Sequence, residues 1–223
     1  MRRLFRFLYW TVVILVLLWL APVMLYRWID PPATPLMLIR YGEAGKIDRD
    51  TVPLDAISRE LQHAVIASED NRFCRHHGVD WDAVSEAIEE HDEEGKRLRG
   101  ASTITMQVAR NLFLWPGGGF IRKGVETAVA LAIDALWPKR RILELYLNVA
   151  EWGDGIYGAE AASRAFFHVP AAKLSRHEAA LMAAVLPNPR RWSPARPTSY
   201  INGRADTIAG RVGMLDGYFD CLK

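Results

Sequence analysis

The sequence predicts an all-α (mainly helical) fold, and three observations carry that expectation. Apolar residues recur at helical spacing through most of the 223-residue chain beyond Pro53. Residues that start helices, Pro53, Asp80, Ser102 and Ser175, stand directly ahead of those periodic segments. Breakers close them, at "WPGGG", Pro138, Pro187 and Pro189. No internal repeat or low-complexity tract interrupts the pattern.

The elements follow in order. "FLYWTVVILVLLWLAPVML" is uncharged from Phe7 to Leu25. A membrane-spanning helix needs roughly 20 such residues and a signal-peptide core about 7–15, so the run reads as an uncleaved anchor. A long cleaved signal peptide is the competing reading, but no small-x-small cleavage site follows. Arg2, Arg3 and Arg6 precede the run and place the N-terminus in the cytoplasm. Trp10, Trp19, Tyr26 and Trp28 include interfacial anchors. The expected organisation is therefore residues 1–6 cytoplasmic, 7–26 transmembrane, 27–52 a juxtamembrane linker and 53–223 one globular domain. Within the linker "IDPPATP" is stiff and extended, and "LMLIRYGE" reads as one short strand.

In the globular part, Ile57, Leu61, Ala64, Val65 and Ser68 share the face of a helix starting near Pro53. Asp80 caps a second helix carrying Val84 and Ile88. "HDEEGKRLRGAS" is charged and glycine-bearing, and is expected to be a mobile loop. Ser102 caps a third helix, "TITMQVARNLFL". A fourth runs from about Phe120 to Trp137, with Val125, Val129, Ile133 and Leu136 on its apolar side. "RRILELYLNVA" and "GAEAASRAFF" make the fifth and sixth. Ser175 and Glu178 have capping-box spacing ahead of the seventh. The last carries Ile201, Ile208, Val212, Leu215 and Phe219.

Composition excludes several functions. A net charge of +2 is too small for a nucleic-acid binder, so any positive site is local. Two cysteines, Cys74 and Cys221, are too few for a disulfide framework, and the sequence leaves their pairing open. There is no Gly-x-Ser-x-Gly elbow, Walker loop, His-Glu-x-x-His or Cys-x-x-Cys. His76 and His77 are adjacent, so their side chains diverge and do not suit one metal. "GDGIYGAEAA" lacks a preceding strand and is not a Rossmann phosphate loop.

What remains is acid in basic company. In "IASEDNRFCRHHGVDWDAV", Glu69 and Asp70 end an apolar helix and Arg72, Phe73, Arg75, His76 and His77 follow at once. Thr103, Gln107 and Arg110 fall at i, i+4 and i+7, on one helix face. That face is either ordinary solvent exposure or the wall of a groove. Glu126 lies within one turn of Arg122 and Lys123, which alone is the pattern of surface ion pairs worth about 0.2–0.5 kcal/mol each.

Five segments together resemble the glycosyltransferase family that polymerises peptidoglycan, and most closely its monofunctional transglycosylases. "EDNRFCRHHG" is similar to the first motif, "GASTITMQVARNLFL" to the second, "RKGVE" to the third, "KRRILELYLNVAEWGDGIYGAEAAS" to the fourth and "LSRHEAALMAAVLPNP" to the fifth. They run in the family's order from about Leu54 to Pro194. Met106 departs from the family, standing where the first of two glutamines is usual. Arg110 stands where lysine is usual, keeping the charge and offering a two-pronged donor. No room remains before Lys223 for a transpeptidase domain.

The resemblance implies a lysozyme-like, two-lobed catalytic domain and a reaction that polymerises lipid II into linear glycan strands, releasing undecaprenyl diphosphate with inversion. It implies Glu69 as general base, with Glu126 as a second catalytic carboxylate that orients cations or helps to hold a divalent one (Mg or Mn). No cofactor is firmly expected. Asp70, Phe73, Ser102, Thr103, Gln107, Arg110, Arg122 and Lys123 become the substrate-binding set, the three cations clamping the departing diphosphate. Implied partners are lipid II, the growing strand, membrane lipid and other cell-wall or division proteins, and no nucleic acid. The implied location is the bacterial inner membrane, single-pass, with the catalytic domain periplasmic. The rivals are a lysozyme-like or lytic enzyme, which must protonate a sugar oxygen, and a non-catalytic scaffold, which has no need of Glu69.

Overall fold

Capping chemistry decides where most elements begin. The structure, a computed structural model, describes residues 2–94, 101–115, 117–215 and 217–223, without the side chains at 12, 15, 16, 18, 19, 44, 91–94 and 120. It divides into two compact units, Met1–Pro32 and Ala33–Lys223. The first is mostly α1 (Arg2–Leu25), which holds Pro22 within it. Among the described residues no helix is long and apolar enough to cross a membrane.

The second unit opens with α2 (Pro35–Ala44), which replaces the strand expected for "LMLIRYGE". The reason is local. Thr34 Oγ1 accepts from the Met37 amide at 3.2 Å, Pro35 fits the first turn, and Gly45 at φ 68° ends the helix left-handed. After β1 (Asp48–Arg49) and a single turn at Leu54–Ala56, α3 spans Arg59–Glu69. It starts later than expected because Ser58, not Pro53, supplies the cap, accepting from the Leu61 amide at 3.2 Å. Asp80 caps α4 (Trp81–Glu94) through the Ala83 amide at 3.2 Å. The first four residues of the expected loop continue α4, and 95–100 lie outside the described residues.

The chain continues as α5 (Ile104–Phe113), α6 (Phe120–Leu136) and α7 (Lys139–Val149). The strands β2 (Glu151–Gly153) and β3 (Ile156–Tyr157) lead to α8 (Ala159–Phe167), α9 (Arg176–Val185) and α10 (Ser199–Met214). Ser175 and Glu178 form the expected capping box on α9. The unanticipated sheet has order β1-β3-β2, with β1 parallel and β2 antiparallel to β3.

Two helix groups build the core of this unit. One is α3 against α9 and α10, and the other is α5 against α6 and α7. Leu61, Val65 and Ile66 of α3, Ile104 and Val108 of α5 and Ile142 of α7 are fully buried. Each such side chain is worth about 1.5–3 kcal/mol of burial. Both groups converge on the C-terminal end of α3, where Glu69 stands. Cys74 and Cys221 form a disulfide with Cα atoms 5.5 Å apart. It closes 147 residues of separation, worth about 5 kcal/mol in the loop-entropy picture.

Candidate active site

The turn after α3 is tied to the start of α5. Asp70 caps α3, and both of its oxygens accept from His76 Nε2, at 2.9 and 3.0 Å. Its Oδ2 also accepts from the Ile104 amide at 2.9 Å, at the first turn of α5. Thr103 Oγ1 donates to the Gly78 carbonyl at 2.6 Å and accepts from the Met106 amide at 3.1 Å. Thr103, not Ser102, is therefore the cap of α5. Gly78 is required in this turn. Its φ is 80°, and a Cβ there would sit 2.8 Å from the Ala130 carbonyl oxygen.

These ties bring Gln107, one turn into α5, against Glu69. Gln107 Nε2 donates to Glu69 Oε2 at 2.9 Å, and the Tyr146 hydroxyl of α7 donates to Gln107 Oε1 at 3.3 Å. Glu69 lines a cleft of about 180 Å³ with Ser68, Asn71, Asp80, Ser102 and Arg211. A second hollow of about 370 Å³ adjoins it along α10, sharing Ser68 and Arg211 and adding Tyr200, Arg204 and Thr207.

Burial pushes the Glu69 carboxyl above the usual carboxylate range, and the nearby Asp70 charge adds to this. The Gln107 hydrogen bond and the Arg204 and Arg110 charges pull the other way. Its place as the last residue of α3 also puts its charge at the negative end of the helix dipole. A carboxylate held in this way accepts a proton more readily than a solvated one.

Glu126 is fully buried on α6, where one oxygen accepts from Arg122 and the other from Lys123 Nζ at 2.8 Å. Lys123 Nζ also donates to Ser102 Oγ at 2.8 Å, which links this ion group to the wall of the Glu69 cleft. The hydroxyl of Ser102 thus serves the cleft and not the helix cap. Arg122 Nε donates to the Gly118 carbonyl at 3.3 Å.

The sequence-predicted residues therefore fall into three groups. Glu69, Gln107 and Arg110 cluster, and Ser102, Lys123, Glu126 and Arg122 form a chain of contacts leading to the same cleft. Asp70, Thr103 and Phe73 hold the frame. Phe73 is completely buried, with Lys139 Nζ 4.7 Å over its ring, so it offers no free surface to a substrate. Met106, at the position where glutamine is usual, is buried, and of the two it is Gln107 that hydrogen-bonds Glu69. Glu126 has both oxygens occupied by its own helix, and among the described residues no group of three His, Cys, Asp or Glu stands where it would hold a metal.

Sequence reasoning missed Arg204 and Arg211, which lie seven apart on one face of α10, and Tyr146, which looks like core in "LELYLN". Only packing brings them together: Arg211 lines the cleft with Glu69, Arg204 lends it charge and Tyr146 reaches it through Gln107.

Comparison with known proteins follows the same lines. The transglycosylase family profile matches residues 38–213. A biosynthetic peptidoglycan transglycosylase of Rhodospirillum centenum is 61% identical over 211 residues, covering 93% of this chain and 91% of that protein. One of Caulobacter vibrioides is 45% identical over 202 residues, covering 90% and 88%. One of Pseudomonas putida is 47% identical over 222 residues, covering 97% and 92%.

Proposed function

The chain belongs to the transglycosylase family and is a peptidoglycan glycosyltransferase that polymerises glycan strands, and on that premise we propose that it does so from lipid II with Glu69 as general base. One observation carries the assignment. Glu69, its proton affinity raised by burial, stands in an open cleft with cations on several sides.

The reaction needs both features. A sugar hydroxyl becomes a competent nucleophile only as its proton leaves, and Glu69 takes the proton of the acceptor's 4-hydroxyl. The oxygen then bonds to the anomeric carbon of the growing chain from the face opposite the diphosphate. The bond to the lipid diphosphate breaks, and the anomeric configuration inverts from α to β. The leaving group carries its own charge and needs cations, not a carboxylic acid. Arg110, Lys123, Arg204 and Arg211 supply them around the cleft, with Arg122 and Glu126 fixing Lys123 in place. Asp70 and Thr103 hold Glu69 and Gln107 in register.

The helical domain is of the lysozyme-like, two-lobed kind, and the first unit is its tether. The uncharged stretch of α1, residues 7–25, is 19 residues and rises about 28 Å at 1.5 Å per residue, close to the about 30 Å of hydrocarbon; several of its side chains lie outside the described residues, so its apolar character is read from the sequence. Arg2, Arg3 and Arg6 at the start of α1 hold the N-terminus in the cytoplasm and leave the domain in the periplasm. The Cys74–Cys221 disulfide suits that oxidising compartment. Tethering confines the site to the surface that carries lipid-linked substrate and brings membrane lipid and other cell-wall proteins within reach.

The test is polymerisation of labelled lipid II by detergent-solubilised protein, with products resolved on a gel and Glu69→Gln run alongside. A muramidase-sensitive ladder from the wild type, absent from the variant, is the expected result. Shortening of pre-made strands without polymer from lipid II would overturn the assignment in favour of a hydrolase.

A further inference from the structure

We propose that Tyr146 is a positioning residue of this site, its hydroxyl fixing which end of the Gln107 amide meets Glu69. The proposal rests on the reading of Glu69 as general base. It adds a residue that touches neither substrate nor reacting atoms.

The argument is one of donors and acceptors. A glutamine amide has two ends, and only its NH₂ can meet a carboxylate that lacks a proton. Here Nε2 faces Glu69 at 2.9 Å and Oε1 faces the Tyr146 hydroxyl at 3.3 Å. Turning the amide over would place Oε1 against Glu69, an arrangement that suits the protonated acid and opposes the base. It would also leave the Tyr146 proton without an acceptor. Gln107 Oε1 is the hydroxyl's one hydrogen-bond partner among the described residues, and Tyr146 is only 1% exposed. A buried donor without a partner is costly, so the tyrosine holds the amide in the orientation that keeps Glu69 ready to accept a proton.

The backbone supports this as a designed lever. The Asp70–Ile104 and Thr103–Gly78 bonds fix α5 against the end of α3, and α5 packs directly on α7. The three side chains Glu69, Gln107 and Tyr146 thus come from three elements whose relative placement is fixed independently of them. Other charged and titratable groups facing Glu69 are Asp70 beside it, Arg110 on α5, Arg204 and Arg211 on α10 and Asp80 across the cleft. None of these touches the Gln107 amide.

The experiment measures lipid II polymerisation by the full chain in detergent across pH for wild type, Tyr146→Phe, Gln107→Ala, the double variant and Glu69→Gln. Tyr146→Phe is expected to lower kcat by about five-fold, the rate equivalent of one ordinary hydrogen bond, with KM little changed. Its acid limb should move upward by about half a pH unit, because the freed amide now also accommodates protonated Glu69. In the Gln107→Ala background the same substitution should change kcat by less than about two-fold, since its effect passes through the amide. An equal loss in both backgrounds, or an unmoved acid limb, overturns the proposal and leaves Tyr146 a packing residue. A ring-fluorinated tyrosine at position 146, a stronger donor of nearly the same shape, should move the limb downward, which keeps the test open if Tyr146→Phe folds poorly. Glu69→Gln separates the two readings. If it polymerises normally, the base assignment fails and this proposal with it. If it is inactive while Tyr146→Phe matches the wild type, only the positioning role fails.

Discussion

At the scale of single residues, the site places function in conflict with stability at Glu69. Burial raises its proton affinity, so the sign of its contribution is clear: the folded chain is favoured below the unfolded carboxylate's ordinary pKa, and that advantage is lost as pH rises through the folded value. At neutral pH the chain carries the cost of a partly buried charge, the counterpart of the base role proposed for Glu69. Glu69→Gln removes the charge and keeps a side chain of the same shape beside Gln107. It should melt about 1–3 °C above the wild type at pH 7 while losing polymerisation, and the gap should close at a pH below the carboxylate range. A variant less stable than the wild type at pH 7 would show that the carboxylate's hydrogen bond and cations outweigh its desolvation. Ser102 illustrates a different point. Its hydroxyl looks like a helix cap in the sequence, yet Thr103 beside it takes that place. The choice between them is made by the Lys123 ammonium and the Gly78 carbonyl, both distant in the chain.

At the scale of elements, the segment beyond α10 behaves as a strap. Besides the disulfide, Arg75 lies 4.4 Å over the Tyr218 ring, His63 stacks on Phe219 at 3.8 Å, and Arg140 donates to the Leu222 carbonyl at 2.6 Å. His63, Arg140, Phe219 and Leu222 line a cavity of about 380 Å³, while the disulfide and Arg75 tie the segment to the turn that carries Asp70 and His76. Cys221→Ser should cost about 2–5 kcal/mol in chemical denaturation and expose residues 217–223 to hydrogen exchange. Unchanged exchange there would mean that the ring contacts hold the strap alone. Burial lowers the proton affinity of His63, with Glu60 opposing and Arg59 assisting. The stability it lends is present above the ordinary histidine pKa near 6.5 and is lost as pH falls below it, so protection of the strap, corrected for the intrinsic exchange rate, should weaken as pH drops below about 6.5. His63→Phe should abolish that dependence. Local grammar made much of this scale legible in the sequence: the Ser175–Glu178 box, the Asp80 cap and the Pro138 break all stand where they were read. It failed where two grammars compete. The β-like run in α2 is overruled by Thr34, Pro35 and Gly45, and the small sheet rests on pairings such as Asp48 with Ile156 that no local pattern announces. The site splits in the same way. Glu69, Gln107 and Lys123 were legible because motif spacing places them, whereas Tyr146, Arg204 and Arg211 join through packing of α7 and α10.

At the scale of the whole molecule, the proposed tether turns a search in volume into a search on a surface. Ala33–Lys223 contains its own core, its disulfide and every residue assigned to the site. Removing the first unit should therefore leave the thermal transition nearly unchanged and the rate in detergent micelles within about two- to three-fold of the full chain, because the chemistry is undisturbed. On vesicles that hold lipid II the expectation differs. Confinement to one surface raises the effective concentration of enzyme at its substrate, commonly by 10² or more, so the truncated protein should polymerise at least about ten-fold more slowly there at equal bulk concentration. Supplying an unrelated membrane-spanning helix in place of residues 1–32 should restore the rate, since reach and not sequence is what the tether provides. Equal rates on vesicles with and without the first unit would sink the anchor reading and assign membrane contact to the domain itself, where Leu38, Ile39 and Tyr41 on α2 leave apolar surface exposed.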